Sequence, residues 1–179
     1  MNDREHHLVE LVDDTGIAVG AATVADAHAA PGRAHRAFSV ILRDGDRVLL
    51  QQRAAVKTRF PLRWANACCG HPTPGQTVTD AARDRLIEEL GVTGVPLHEV
   101  GVYVYRAVDP ATGRVEHEHD HVVVGDVAAL NATPDPAEVA ALRWVTLADL
   151  RADLERRPDE YAPWLAGVLG CLVEQPGGR

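Results

Sequence analysis

Apolar and polar positions alternate along this chain with two different periods. Residues 8–12 (LVELV) and 37–43 (AFSVILR) are apolar runs of strand length. Asp44-Gly45-Asp46 is a turn, and Val48 to Gln52 returns as a hairpin partner. Residues 99–107 and 114–125 alternate or run apolar, and Asp109-Pro110-Ala111-Thr112-Gly113 turns between them. A four-residue spacing marks the clearest helix, residues 77–90. There Val78, Ala82, Leu86 and Leu90 form one stripe, and Gly91 supplies a C-terminal stop. Arg143 to Val145 reads as a short strand, Leu147 to Arg156 as a helix, and Tyr161 to Glu174 as a last helix. Residues 131–136 are a loop, and the tail from Gln175 to Arg179 is expected to fray.

Residues 53–76 fit neither period. This long connection holds Pro61, Pro72, Pro74, Gly70 and Gly75, and also Trp64, Cys68, Cys69 and His71. Loops of that length in compact domains are functional or disordered, and this content favours function. No repeat, linker or low-complexity tract interrupts the 179 residues, so a single domain over 1–179 is expected.

Composition narrows the class. With 46% hydrophobic and 25% charged residues the chain suits a soluble globular protein. Eighteen Lys+Arg against 26 Asp+Glu give a net charge of -8, which argues against nucleic acid or an anionic membrane as partner. The N-terminal MNDREHHLVELVDD has no signal-peptide core, and no stretch approaches the roughly 18 apolar residues of a membrane helix. Cys68, Cys69 and Cys171 are an odd set with two adjacent, unlike a disulfide framework. A cytoplasmic monomer with reduced thiols is the expectation.

Candidate chemistry begins at Glu116-His117-Glu118-His119-Asp120-His121. On a strand, Glu116, Glu118 and Asp120 share one face and the three histidines the other. Either face could bind a divalent cation, although a lone E-x-E is more often an exposed polar strand. Other ligands would have to converge, and His28, His35 and His71 are the available imidazoles. Three imidazoles with two carboxylates suit Mn²⁺ or Zn²⁺. His6, His7 and His98 read as surface residues. Arg85 and Glu89 form an i,i+4 pair with Glu88 beside them: a surface ion pair worth ~0.3–0.5 kcal/mol, or a cation and a metal ligand meeting a phosphate. Arg53 and the sole lysine, Lys57, could join them. Cys69 is either a small buried hydrophobe or a thiol whose pKa is lowered by a nearby metal or cations. Cys68 points the other way and suits packing. Cys171 and Trp164 fit the core, an indole face beside a cationic intermediate being the rarer use.

The run Trp64-Ala65-Asn66-Ala67-Cys68-Cys69-Gly70-His71-Pro72 resembles the signature of type I isopentenyl-diphosphate isomerases. The likeness extends through Arg53-Ala54, Lys57, Glu88-Glu89-Leu90-Gly91, Tyr105-Arg106-Ala107, Glu116-x-Glu118 and Ala162-Pro163-Trp164, roughly residues 28 to 165. It implies a Nudix-type α/β/α sandwich around a mixed β-sheet. The Nudix box, G-x5-E-x7-R-E-U-x-E-E-x-G-U with U apolar, keeps Glu88, Glu89, Gly91 and Val92 when started at Gly70. It has Gln76 for its first Glu and Asp84-Arg85 for Arg-Glu, which should impair a hydrolase.

The resemblance further implies metal-dependent isomerisation of isopentenyl diphosphate to dimethylallyl diphosphate by protonation and deprotonation through a tertiary carbocation. A Nudix-type diphosphate hydrolase, or a divergent or silent homologue binding another prenyl diphosphate, are the alternatives. By position it gives His28, His35, His71, Glu116 and Glu118 to Mn²⁺ or Zn²⁺. It gives Glu89 and the Cys69 carbonyl to a Mg²⁺ carried with the diphosphate, and Arg53, Lys57 and Arg85 to that diphosphate. Cys69 and Glu118 become the proton-transfer pair, Tyr105 assists Glu118, and Trp164 lies against the hydrocarbon on a helix that closes the site. One departure is Val24, where the family has a diphosphate-binding lysine; Arg33 and Arg36 are the nearest candidates to compensate.

Overall fold

In the computed structural model, which describes residues 3–172, a 3₁₀ turn at Asp3–His6 leads into an antiparallel hairpin of β1 (Leu8–Val12) and β2 (Ala18–Thr23). α1 (Val24–His28) follows directly, and then come β3 (His35–Asp44) and β4 (Arg47–Arg53), the hairpin expected around Gly45. The long connection carries β5 (Trp64–Ala65) and β6 (Cys68–Gly70). α2 (Val78–Leu90), β7 (His98–Val108), β8 (Val115–Asp126), β9 (Val139–Thr146), α3 (Leu147–Arg156) and α4 (Leu165–Gly170) complete the order.

β3 organises the sheet. One of its edges runs parallel to β8, from His35↔Glu118 to Arg43↔Asp126. The other edge takes β1, β6 and β4 in turn, all antiparallel. β7 pairs with β8, and β9 with β4. α2 covers one face over Phe38, Val40, Leu42 and Val123. Residues of α3 and α4 cover the other over Ile41, Leu50, Val122 and Val124. Because both faces are covered, the central strands read as apolar runs instead of alternating. The architecture is the expected α/β/α sandwich around a mixed sheet.

Local chemistry explains the best-read element. Thr77 caps α2 by accepting the Asp80 N–H, while its hydroxyl donates to the Asp80 carboxylate at 2.7 Å. Gly91 ends the helix at φ +64, and a Cβ there would lie 2.1 Å from the Thr133 hydroxyl. Val78, Ala82, Leu86 and Leu90 are all buried, as the stripe requires.

Other boundaries move. β2 and α1 lie where no hydrophobic pattern marks an element: β2 is mostly exposed and built from small residues, and α1 is too short to show a period. β9 extends well beyond residues 143–145, because β4 pairs along its whole length. The last helix, expected over Tyr161 to Glu174, is among the described residues helical only at Leu165–Gly170. Tyr161 instead bridges to Trp64, and the Ala162 N–H donates to the Trp64 carbonyl. Glu174 and the expected frayed tail lie outside the described residues. No helix among those residues is long and apolar enough to cross a membrane.

Candidate active site

Strand register builds the centre of the site. Glu118 on β8 stands opposite His35 on β3 and opposite Tyr105 on β7, so three strands place one row of polar groups side by side. His28 arrives at the end of α1, and His71 immediately after β6. The ligand atoms of His28, His35, His71, Glu116 and Glu118 all lie within 4.8 Å of one another. The His28 Nε2 is 2.9 Å from Glu116 Oε2, the His71 Nε2 is 3.0 Å from Glu118 Oε1, and the His35 Nε2 is 3.6 Å from the same oxygen. The acidic face of β8 is therefore buried, not exposed.

The cluster has the features of a cation site. The His28 Nδ1 donates to the Val24 carbonyl at 2.7 Å, and the His35 Nδ1 to the Arg33 carbonyl at 2.8 Å. These bonds leave each Nε2 lone pair aimed at the carboxylates. The His35 Nε2 is buried without a hydrogen-bond partner. Burial alone would lower the His28 pKa, but Glu116 and Glu118 raise it to about 9. At His71 burial dominates and takes the pKa down to about 4. Burial would raise the Glu118 carboxyl, yet the surrounding imidazoles of His28, His35 and His71 hold it well below the usual range. A divalent ion can replace the proton that His28 otherwise holds, and the donor set of three nitrogens and two carboxylates fits Mn²⁺ or Zn²⁺.

A cavity opens beside the cluster, lined by Cys69, Tyr105, Trp164, Glu116 and Glu118 together with the basic residues Arg53, Lys57 and Arg85. The Tyr105 hydroxyl donates to Glu118 Oε2 at 2.6 Å. Cys69 faces Ser39 across the β3–β6 pair, and its Sγ lies 3.3 Å from Asn66 Oδ1 and 3.6 Å from Ser39 Oγ. Burial, reinforced by the Asp120 carboxyl, pushes the Cys69 pKa up to about 12. Without a metal beside it, the thiol is thus held in its protonated form. Cys68 is wholly buried and packs under α2, as expected. Gly70 separates Cys69 from His71, where a Cβ would come within 2.8 Å of the Phe38 ring.

Trp164 lies at the N-cap of α4 instead of inside a longer helix. It sits just ahead of α4, 3% exposed, and its indole N–H donates to Asn66 Oδ1 at 3.1 Å. It forms a fixed wall, 6.0 Å from the Tyr105 ring and edge-on to Phe60. Arg53 is largely buried, its guanidinium 5.4 Å from the Trp164 ring centre and hydrogen-bonded to the carbonyls of Arg59 and Phe60. The Arg85 Nε is 3.4 Å from Glu89 Oε1, and burial raises the Glu89 pKa to about 7. Lys57 is ion-paired with Glu138. Cys171, expected in the core, packs half-buried against the layer formed with α4. Of the two arginines expected to compensate at Val24, Arg36 ion-pairs with Glu10, and neither lines the cavity. The Gln76 amide donates to Asp84 at 3.0 Å, so the two altered box positions bind one another.

Several participants carry no sequence signal. Arg59 grips Glu116 Oε1 at 3.1 Å and Glu5 Oε1 at 2.9 Å, and Glu138 holds both Lys57 and Arg4. Each is an ordinary charged residue in a loop or turn, and only the folded chain brings it to the site. Asn66 lies within the cysteine motif. Its amide donates to the Val40 and Cys68 carbonyls, which fixes the oxygen toward Cys69 and Trp164.

The NUDIX domain model matches residues 33–165. A Nocardia farcinica protein named isopentenyl-diphosphate Delta-isomerase is 65% identical over 164 residues, covering 90% of this chain and 91% of its own. Proteins of that name from Streptomyces coelicolor and Halorhodospira halophila are 46% and 40% identical. They align with 90% and 94% of this chain, and with 81% and 94% of their own. Among solved structures, a Deinococcus radiodurans protein superposes with a TM-score of 0.74 at 19% identity, covering 92% of this chain and 99% of its own. A Nudix hydrolase from M. smegmatis superposes at 0.56 with 23% identity, covering 95% and 98%. The solved structures attest the fold, and the sequence relatives align with nine-tenths or more of this chain; the chain belongs to the isopentenyl-diphosphate Delta-isomerase family within the Nudix fold.

Proposed function

We propose that this protein interconverts isopentenyl and dimethylallyl diphosphate as a single-domain monomer with residues 1–179 acting together. The observation that carries this reading is one cavity lined together by the thiol of Cys69, the carboxylate of Glu118, the rings of Tyr105 and Trp164, and the basic residues Arg53, Lys57 and Arg85, beside the His/Glu cluster. Moving a double bond from the terminal to the internal position adds a proton at one carbon and removes one from another. Cys69 holds a proton to give, and Glu118, kept ionised, can take one up. Tyr105 fixes the Glu118 carboxylate through its hydroxyl. The Trp164 face and the nearby carboxylates favour positive charge on the hydrocarbon between them. Burial of the site excludes water, which would otherwise capture a tertiary carbocation as an alcohol.

His28, His35, His71, Glu116 and Glu118 would hold Mn²⁺ or Zn²⁺. Glu89 and the Cys69 carbonyl would hold the Mg²⁺ that accompanies the diphosphate, and Arg53, Lys57 and Arg85 would neutralise that group. Bound there, the cations supply positive charge that orients the diphosphate and keeps the carboxylates ionised. The mutual hydrogen bond of Gln76 and Asp84 removes two positions a Nudix hydrolase would use, so hydrolysis is the weaker reading. Incubation with isopentenyl diphosphate, Mg²⁺ and Mn²⁺ in D₂O tests the proposal. Deuterium in dimethylallyl diphosphate is the expected result; phosphate release or unchanged substrate refutes it.

A further inference from the structure

The basic lining of the cavity has a further member, supplied from the start of the chain. Arg4 lies in the 3₁₀ turn before β1 and lines the same cavity as Lys57 and Arg85. Glu138, itself 4% exposed, holds the two cations side by side: one oxygen pairs with Lys57, and the other lies 3.3 Å from the Arg4 Nε. The Arg4 Nη2 is 3.4 Å from Glu88, the residue that Arg85 also pairs with at 3.4 Å. Two carboxylates thus bracket three cations along one wall. The chain just after Arg4 is anchored. Glu5 is held by Arg59 at 2.9 Å and Arg114 at 3.3 Å, and the Val24 N–H donates to the His7 carbonyl at 2.8 Å.

Val24 itself cannot contribute a charge. It is buried with Val9, Leu11, Ala22 and Ala27, although it borders the cavity. We infer that Arg4, set beside Lys57 by Glu138, is a diphosphate-binding residue, so that the N-terminal turn supplies the cation that the Val24 position lacks. The inference rests on the diphosphate reading of the cavity. A planar guanidinium keeps several N–H donors for phosphate oxygens while two carboxylates fix its orientation. A substrate bearing a diphosphate fits this wall, whereas a neutral prenyl alcohol would offer its cations no charge-assisted hydrogen bond.

The test uses the full chain with Mg²⁺ and Mn²⁺, and inorganic pyrophosphate as probe in calorimetric titrations. Arg4→Gln should weaken pyrophosphate binding about tenfold and raise the KM for isopentenyl diphosphate to match, with kcat nearly unchanged. Arg4→Lys should restore much of the affinity, and Arg151→Gln, exposed elsewhere, should change nothing. Unchanged pyrophosphate affinity in Arg4→Gln, or a fall in kcat and Tm with that affinity intact, would overturn the inference. The latter result would make Arg4 a tie for the turn alone. A wild-type protein that binds no pyrophosphate would overturn it as well. The functional reading fails separately, if the wild type forms no dimethylallyl diphosphate.

Discussion

The two faces of β8 use alternate residues of one six-residue run and meet opposite fates. Glu116, Glu118 and Asp120 point inward, where α1, β3 and the loop after β6 each deliver a histidine. His117, His119 and His121 point the other way. There His121 pairs with Glu99 at 2.6 Å, and His119 is packed under Gly16, whose Cβ would lie 2.6 Å from its ring. Among the described residues, metal-competent groups converge only on the inner face. Residue type therefore does not decide the chemistry of a strand face; what the fold brings opposite it does. The same contrast separates the two adjacent cysteines, one lining the cavity and one sealed under α2.

The largest effect that could break this contrast is at Glu118. Glu118→Gln should lower kcat by about 10³-fold or more, because it removes both a proton acceptor and a proposed metal ligand. A deuterium-incorporation assay retaining a tenth of wild-type activity would refute the role. Next comes the cysteine pair. Cys69→Ala should cost about 10²–10⁴ in turnover. Cys68→Ala should keep turnover and lose about 1 kcal/mol of stability in urea unfolding. Equal activity losses would erase the distinction.

A smaller effect sharpens what supports the inner face. Arg59→Met should weaken Mn²⁺ binding about 10–100-fold by calorimetry, since it leaves Glu116 without its guanidinium partner. Full affinity would make Arg59 a structural residue only.

In chelated protein the sign of the pH dependence follows from two imidazoles. The raised His28 pKa stabilises the fold fully below its ordinary value of 6.5, and that stabilisation is lost as pH climbs toward 9. The lowered His71 pKa acts in reverse, and its stability is lost as pH falls from 6.5 toward 4. Thermal melts should peak near pH 6.5, and Mn²⁺ should flatten the alkaline limb. A metal-free Tm that rises steadily to pH 9 would contradict this. The smallest effect belongs to the outer face: His121→Ala should change stability by less than about 0.5 kcal/mol and leave Mn²⁺ affinity intact. A clear loss of affinity would mean that both faces bind.

How much was legible beforehand depends on how local the cause was. The stripe of α2, its Thr77 cap and its Gly91 stop lie within one stretch of chain, and the helix fell where that stretch placed it. The alternation of Glu116, Glu118 and Asp120 was equally readable, because a strand has a period of two. The cysteine motif marked its loop through content, although β5 and β6 are too short to show a pattern. α1 was invisible for the same reason.

By itself, then, the sequence determined the longer strands, the main helix, the family likeness and the list of groups able to do chemistry. Only the tertiary structure decided which of them meet. It set His35 opposite Glu118 by pairing two strands more than 80 positions apart. It gave Arg59 to Glu116 and Arg4 to the Lys57 wall, and it kept the proton on Cys69. Those outcomes depend on burial and on contacts between distant segments. A pattern along the chain encodes only the periodicity of each segment, and that periodicity fixes a face without fixing what the face will meet.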